Sequence, residues 1–190
     1  MCTMGLPQPS RIAIMGVTSS GKSTLGMVIS NKLGVPFIES DALLWAPKWQ
    51  KAADYVQKMT IATAASAWVM AGNTSEVRQL VLTQANVVVW LDYPFWTVLW
   101  QLVRRSVSRW WTQELLWGTN YESLWVHLKL WSKHSLVHWL FKTYWNRKRE
   151  YPLLFQQFPH LVVHHFTHPT QTQAWLDSLP STTQQHPHVE

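Results

Sequence analysis

The chain of 190 residues contains sixteen Lys and Arg residues and ten Asp and Glu residues, which gives a formal net charge of +6. This surplus predicts an anionic partner, either nucleotide phosphates or a nucleic acid. A hydrophobic content of 47% with 14% charged residues excludes a disordered chain, and the length fits one domain. We divide the chain into an N-terminal extension over 1–10, a domain over 11–180 and a polar tail over 181–190.

The single cysteine, Cys2, excludes a disulfide framework within the chain and suits a reducing compartment. No basic segment followed by a long apolar run marks a secretory signal near the start. The most apolar stretch, 87–103, contains Asp92, Pro94 and Gln101, whereas a spanning helix needs roughly 20 largely apolar residues. We therefore expect a cytoplasmic protein without a membrane partner.

A strand, a glycine-containing loop and a helix follow one another at the start of the domain. The short apolar run over 11–15 suits a buried parallel strand. Residues 16–24 fit the pattern G-x-x-x-x-G-K-[ST] at every fixed position. The segment over 23–33 has apolar residues three to four apart, and Gly34 is placed to end that helix.

This loop pattern predicts a site for nucleotide phosphates. Its glycines let the backbone N–H groups turn toward a phosphate, while Lys22 bridges the outer phosphates and Ser23 holds Mg²⁺. The helix N-terminus that follows also favours anions. The residues that we assign to ATP binding are Gly16, Val17, Thr18, Ser19, Ser20, Gly21, Lys22, Ser23 and Thr24.

Strands and helices alternate through the rest of the chain. Further strands are predicted over 35–39, 68–71, 86–91 and 160–166, and helices over 55–67, 77–82, 95–110, 122–130, 136–149 and 170–179. A loop or broken helix is expected over 42–51, and a short helix between Pro152 and Pro159. The alternation predicts a three-layer α/β/α fold with a parallel sheet, whose ligands lie at the carboxyl ends of the strands. The loop, Asp41, Asn73 and Asp92 all fall at those ends.

Two carboxylates are candidates for the chemistry. Asp41 either holds Mg²⁺ through water or accepts a proton from a substrate hydroxyl; the alternative is a helix N-cap. Asp92 directly follows an apolar strand, the usual setting of a magnesium-associated Asp beside a phosphate loop. Its alternative role is that of a turn residue before Pro94.

Several arginines are placed to act on the phosphates. Arg105 and Arg109 are four residues apart, so they share a helix face, and Arg147 comes near the end of a later helix. Such side chains close over a triphosphate and neutralise the charge that develops during phosphoryl transfer. The alternative is a solvated basic face or a pairing with the helix dipole.

Tryptophan and histidine are both abundant. Nine of the 14 tryptophans fall between Trp96 and Trp145, and we interpret them as core and inter-helix packing. Stacking on a nucleobase or on single-stranded nucleic acid, or an exposed patch at a subunit interface, are the alternatives. Four histidines cluster over 160–168, but no cysteine or carboxylate completes a zinc set, so we expect no metal site there.

Taken together, these motifs resemble the adenylate-kinase-like phosphate-loop proteins often labelled DNA topology modulation proteins. The resemblance spans Arg11 to Leu179 and depends on an ordered set of segments. These are 16–24, Ser40-Asp41 with Leu44-Trp45 and Pro47, Trp68-Val69 with Gly72-Asn73, Val77-Arg78, 88–94, Arg104-Arg105 with Arg109, Trp117-Gly118 with Asn120 and Glu122-Ser123, and Ser135-Leu136 with Trp139 and Tyr151-Pro152.

The resemblance implies a fold like that of nucleoside-monophosphate kinases, with a mobile helical basic lid over about 104–150. It also implies ATP binding at 16–24 and phosphoryl transfer to a small acceptor. The sequence of the loop also resembles that of gluconate and shikimate kinases, in which an Asp placed like Asp41 contacts the acceptor. Ala71 stands where the family usually has an Asp, so a catalytically weak nucleotide-binding protein, acting as a regulatory or nucleic-acid-associated module, is the alternative function.

Overall fold

The computed structural model of the protein describes residues 6–72, 74–112, 115–116, 120–121 and 136–180. The strands of this part are β1 Arg11–Gly16, β2 Phe37–Glu39, β3 Trp45–Ala46, β4 Gln50–Lys51, β5 Trp68–Ala71, β6 Val87–Leu91, β7 Leu115–Leu116, β8 Asn120–Tyr121 and β9 Val162–Phe166. Its α-helices are α1 Lys22–Leu33, α2 Ser40–Leu44, α3 Tyr55–Thr63, α4 Ser75–Gln84, α5 Phe95–Thr112, α6 Leu136–Gln156 and α7 Pro169–Ser178.

Five of the strands form one parallel sheet in the order β2-β5-β1-β6-β9. The central strand, β1, pairs with β5 on one side and with β6 on the other, so that Gly16 lies opposite Leu91. β6 in turn pairs with β9. The parallel sheet with helices on both faces confirms the predicted three-layer α/β/α architecture.

Alternate side chains of β1 enter two separate hydrophobic cores, as the pleat of a strand requires. Ile12 and Ile14 pack in a core with α1, α5, the first half of α6 and α7. Ala13 and Met15 pack in the other core, with α2, α3, α4 and the second half of α6. Helix α6 therefore contributes side chains to the cores on both sides of the sheet.

One glycine sets how closely α1 approaches the sheet. A Cβ atom on Gly26 would come 2.5 Å from Phe37 Cε2 and 3.3 Å from Ile14 Cδ1. No larger residue fits between α1 and these side chains unless the ring of Phe37 moves.

Two predictions of local structure were wrong. No separate helix lies between Pro152 and Pro159, because α6 continues through Pro152 to Gln156. Proline removes one helical hydrogen bond, but the buried side chains of Tyr151 and Phe155 flank it and keep this part of the helix packed. The segment after Asp41 is neither a loop nor a broken helix: a short helix leads into the hairpin formed by β3 and β4.

The prediction of core and inter-helix packing was also wrong for tryptophans of α5, while Trp117, Trp125 and Trp131 lie outside the described residues. Trp68 and Trp90 are buried in the sheet, whereas Trp96, Trp100 and Trp111 on α5 are 74%, 68% and 80% exposed. The buried side of α5 is formed by Val98, Leu102 and Ser106. The tryptophan periodicity thus identified a helix but not its buried side.

The N-terminal residues described, 6–10, lie against the domain. Leu6 packs on the core that contains α1, and the Trp68 N–H donates to Ser10 O at 3.0 Å. The predicted helix over 122–130, residue 73 and the tail over 181–190 lie outside the described residues. Within the part that is described, no helix is long and apolar enough to cross a membrane.

Candidate phosphate site

The loop between β1 and α1 is held by close backbone approach and by left-handed residues. A Cβ on Gly16 would lie 2.8 Å from Leu91 O and 2.6 Å from Ser20 Oγ, so only glycine fits there. Ser19 and Gly21 have φ values of 59° and 91°, which turn the chain back toward the start of α1. Successive amides in such a turn form a concave site for an anion.

Two hydroxyl groups in this loop have no hydrogen-bond partner in the described part of the chain. The Oγ atoms of Ser19 and Ser20 are buried, and no hydrogen bond reaches either of them from the described residues. Buried polar groups are normally satisfied, so an orphaned pair indicates a place where a ligand or water binds. A phosphate in the loop would supply acceptor oxygens for both hydroxyls, so the residues fit such a group.

Lys22 begins α1 and folds back over the loop. Its Nζ donates to Val17 O at 2.7 Å. Burial lowers the pKa of Lys22 to about 7; Asp41 raises it, and Arg147 and Arg105 lower it further. The ammonium group thus lies within electrostatic range of one carboxylate and two guanidinium groups.

Asp41 belongs to the first turn of α2, directly after β2. Its side chain is reached by solvent, and the surrounding protein raises the pKa of its carboxyl group through desolvation, against the lowering effect of Lys22. The preceding residue is fixed: Ser40 Oγ and Tyr55 OH are 2.7 Å apart in a buried hydrogen bond. A Cβ on Gly72, the residue after β5, would lie 2.3 Å from Ser40 Cβ, so the end of this strand also limits where the turn lies.

Four of the predicted site residues therefore come together from four different helices. Lys22 and Asp41 lie at the carboxyl ends of β1 and β2, and the pKa values of both are affected by Arg105 of α5 and Arg147 of α6. The two arginines are separated by 42 positions in the sequence, and the described fold brings them to one edge of the sheet.

Asp92 contacts a lysine and a histidine. Its carboxylate, with 8% of the side chain exposed, lies 3.4 Å from Lys148 Nζ and 3.1 Å from His165 Nε2. His165 in turn stacks on Trp90, with ring centroids 3.9 Å apart. Neither Lys148 nor His165 was singled out from the sequence as a partner of Asp92.

The same side of α6 makes a second contact with the end of β6. Tyr144 is buried, and its hydroxyl donates to Tyr93 O at 2.9 Å. Tyr144 and Lys148 are four residues apart, one helical turn, so both anchor one face of α6 to Asp92 and Tyr93. Arg147, next to Lys148, is the residue of that turn that affects Lys22 and Asp41.

The remaining predicted site residues are half-buried or exposed. Ser23 is half-buried in the first turn of α1, Thr24 is exposed, and Arg109 is half-buried on α5, one turn beyond Arg105. Ala71 is buried at the end of β5, opposite Glu39 of β2. Among the described residues, no group of three or more histidine, cysteine, aspartate and glutamate side chains is arranged to hold a metal ion.

Solved structures with a similar fold include kinases. The chain is similar to a shikimate kinase from Acinetobacter baumannii in complex with shikimate, with a TM-score of 0.52 and 17% identity, over 87% of this chain and 88% of that one. The chain has the fold of the phosphate-loop kinases.

Two other structures were found by the same comparison. A shikimate kinase from Bacteroides thetaiotaomicron has a TM-score of 0.50 and 15% identity, over 88% of this chain and 94% of that chain. A gluconokinase from Sinorhizobium meliloti 1021 has a TM-score of 0.49 and 18% identity, over 89% and 92%. No protein-family model and no curated protein matches the sequence.

Proposed function

We propose that this protein is an ATP-dependent kinase that transfers the γ-phosphoryl group to a small acceptor. The observation that carries the proposal is the convergence of Lys22, Asp41, Arg105 and Arg147 beside a loop with two orphaned buried hydroxyls. Phosphoryl transfer needs positioned phosphates and positive charge around the moving group, and this set of residues supplies both.

The loop is the proposed site for the triphosphate. Its amides and the hydroxyls of Ser19 and Ser20 would receive phosphate oxygens. Lys22 would exchange its present acceptor, Val17 O, for the outer phosphates. Because a bound triphosphate brings several negative charges next to Lys22, binding raises the pKa of this group and keeps it protonated.

Asp41 is the proposed partner of the acceptor. A hydroxyl group that attacks the γ-phosphorus must lose its proton, and a carboxylate within hydrogen-bond reach accepts it. Desolvation raises the pKa of Asp41 toward the operating range of a general base. Arg105, Arg109 and Arg147 would bind the equatorial oxygens as negative charge develops on them.

Magnesium is part of the proposal. Ser23 and Asp41 are the residues that would hold it together with phosphate oxygens and water, and the ion would neutralise charge between the outer phosphates. Ser23 follows Lys22 in the first turn of α1, and Asp41 lies within electrostatic range of Lys22, so the donor chemistry fits. Asp92 remains a predicted magnesium-associated residue, although its closest contacts are Lys148 and His165.

We further propose membership of the adenylate-kinase-like group labelled DNA topology modulation proteins, on the ordered motifs between Arg11 and Leu179. The lid over 104–150 and the domain limits at 11 and 180 belong to the same proposal. The buried Ala71, where that group usually has an Asp, predicts slow turnover rather than loss of nucleotide binding.

Replacement of Lys22 by alanine is the direct test of the site. We expect Lys22→Ala to weaken ATP binding measured by calorimetry, and to lower phosphoryl transfer to a panel of nucleoside monophosphates and sugar acids by about 10²–10³-fold. Lys58→Ala is the matched control, because Lys58 is exposed on α3 and pairs only locally with Asp54 among the described contacts.

The two possible failures are distinguishable. A parent protein that binds no ATP in the presence of Mg²⁺ contradicts the proposed function itself. If instead the parent binds ATP and Lys22→Ala binds it equally well, the nucleotide site has been assigned to the wrong residues.

A further inference from the structure

One side of α5 is an exposed apolar stripe. Trp96, Trp100, Val107 and Trp111 are 74%, 68%, 47% and 80% exposed. At 100° per residue these four side chains fall within an arc of about 60° on the helix. We call these four residues the tryptophan face.

Aromatic contacts continue this surface onto α6. Phe95 contacts Trp96 at 5.3 Å between ring centroids, and it stacks with Trp145 at 6.2 Å. It also packs against Phe141 at 4.8 Å. Phe141 and Trp145 are themselves 48% and 56% exposed, so the apolar surface extends across both helices at this end of α5.

The charged residues of α5 and of the first part of α6 have one sign. Neither α5 nor α6 up to Arg149 contains an Asp or Glu residue. The same stretches hold seven cations: Arg104, Arg105, Arg109, Lys142, Arg147, Lys148 and Arg149. Arg105 and Arg147 act on the phosphate site, whereas Arg104, Lys142 and Arg149 are exposed.

We propose that the tryptophan face of α5, with Phe141 and Trp145 of α6, docks on an anionic membrane surface. Tryptophan prefers the boundary between headgroups and acyl chains, where its ring is buried and its N–H stays near water. The exposed side chains of Arg104, Lys142 and Arg149 add attraction to anionic lipid headgroups. The contact is peripheral and does not require a helix to cross the bilayer.

The arrangement of charge favours a membrane over the other occupants. A second copy of this chain would bring two sets of cations together without any acidic residue of these stretches between them. Single-stranded nucleic acid is bound where cations follow its backbone beside the stacking rings. On α5 only Arg104 lies beside the tryptophan face, whereas Arg105 and Arg109 lie on the side of the buried residues, so no row of cations follows the rings along this helix.

Vesicle binding tests the inference without reference to catalysis. The parent protein is sedimented with vesicles of phosphatidylcholine alone and of phosphatidylcholine with about 30% phosphatidylglycerol. We expect at least tenfold tighter binding to the anionic vesicles, and weaker binding as salt is raised. The double variant Trp96→Ser/Trp100→Ser should lose about tenfold of this affinity.

Matched surface changes serve as the control. Val56 and Ile61 of α3 are 44% and 69% exposed, so Val56→Ser/Ile61→Ser also removes exposed apolar surface, but from another helix. This variant should bind vesicles like the parent. Thermal unfolding of each variant verifies the fold, since all four positions are exposed.

Three outcomes would overturn the inference. They are no preference of the parent for anionic vesicles, equal vesicle binding by the tryptophan variant, and a parent dimer that the tryptophan variant converts to a monomer. A fourth outcome would assign the face to nucleic acid instead. In that case a single-stranded oligonucleotide displaces the parent from vesicles at a lower concentration than free phosphatidylglycerol headgroup does.

Discussion

The phosphate loop and the α5–α6 pair both supply groups to one edge of the sheet, but they are positioned in different ways. Between residues 16 and 24 the backbone itself forms the candidate phosphate site, held by Gly16 against Leu91 and by a left-handed Ser19. Arg105 and Arg147 instead depend on how two long helices dock. The difference teaches that a loop motif carries its geometry within a few residues, whereas the arginines obtain theirs from tertiary contacts.

Tryptophan behaves differently in the two regions as well. Trp68 and Trp90 fill the sheet and are almost completely buried. Trp96 and Trp111 of α5 face outward. The same residue type therefore stabilises the core in one region and forms the exposed surface in the other.

The largest expected effect concerns the positioning of Arg147. We expect Arg147→Met to lower kcat by about 100-fold, because it removes a charge that acts on the transferred phosphoryl group. Lys148→Met should lower kcat by about tenfold with ATP affinity unchanged, since it releases α6 from Asp92 while leaving the loop intact.

A double variant distinguishes an indirect from a direct role of Lys148. If Lys148 acts through Arg147, then adding Lys148→Met to Arg147→Met lowers kcat by less than about twofold further. Fully additive effects would contradict that dependence. Lys142→Met, an exposed change on the same helix, is the control for loss of positive charge alone.

A second change tests a position that is fixed by close backbone contacts, as the phosphate loop is. Gly72→Ala places a Cβ atom 2.3 Å from Ser40 Cβ at a φ of +149°. We expect a loss of about 2–3 kcal/mol in the free energy of unfolding, and a lower kcat because the turn that carries Asp41 is displaced.

Gly34→Ala is its matched control. Gly34 also has a positive φ, +66°, but nothing lies within 4 Å of its added Cβ. The backbone strain alone should cost about 1 kcal/mol and leave kcat unchanged. Equal losses for both variants, by urea unfolding, would show that the contact with Ser40 does not limit the position of Asp41.

The smallest expected effect is a gain in stability. Lys22 has a pKa of about 7 in the folded protein and 10.5 as its usual value, so its protonation costs more in the folded state. This penalty is complete below pH 7 and disappears as pH rises through about 10. Lys22→Met should therefore raise the free energy of unfolding by about 1 kcal/mol at pH 6.5, and by nothing near pH 10.5.

Urea unfolding of the parent and of Lys22→Met at both pH values measures this difference. A gain that is equal at the two values would mean that hydrophobic packing of the methionine, rather than loss of the ammonium group, stabilises the variant. A gain at pH 6.5 alone would identify Lys22 as a group kept at a cost in stability.

The parts of the fold that follow local rules could be predicted from the sequence. The loop over 16–24 and the alternation of strands and helices rest on spacing within short windows, so they indicated the parallel sheet and the edge where Asp41 lies. The carboxylate of Asp92 has partners 56 and 73 positions away, at Lys148 and His165. No local pattern identifies them, because they depend on where α6 and β9 dock.

The exposed tryptophans were mispredicted for a related reason. Helix α5 has two apolar stripes, one containing Val98 and Leu102 and the other containing Trp96 and Trp100. Periodicity reports that both stripes exist, but not which one the sheet covers. The larger side chains suggested the core, whereas the smaller ones fit against α1, α6 and the sheet.

The absence of a side chain at Gly26 has a consequence at the start of its helix. With Phe37 and Ile14 so close to this position, α1 lies at a fixed height above the sheet. Its amino end is one turn away, where Lys22 and Ser23 begin the helix. A methyl group at residue 26 would push α1 away from the sheet. The distance from Lys22 and Ser23 to a phosphate in the loop is therefore set by side chains that do not contact the phosphate themselves.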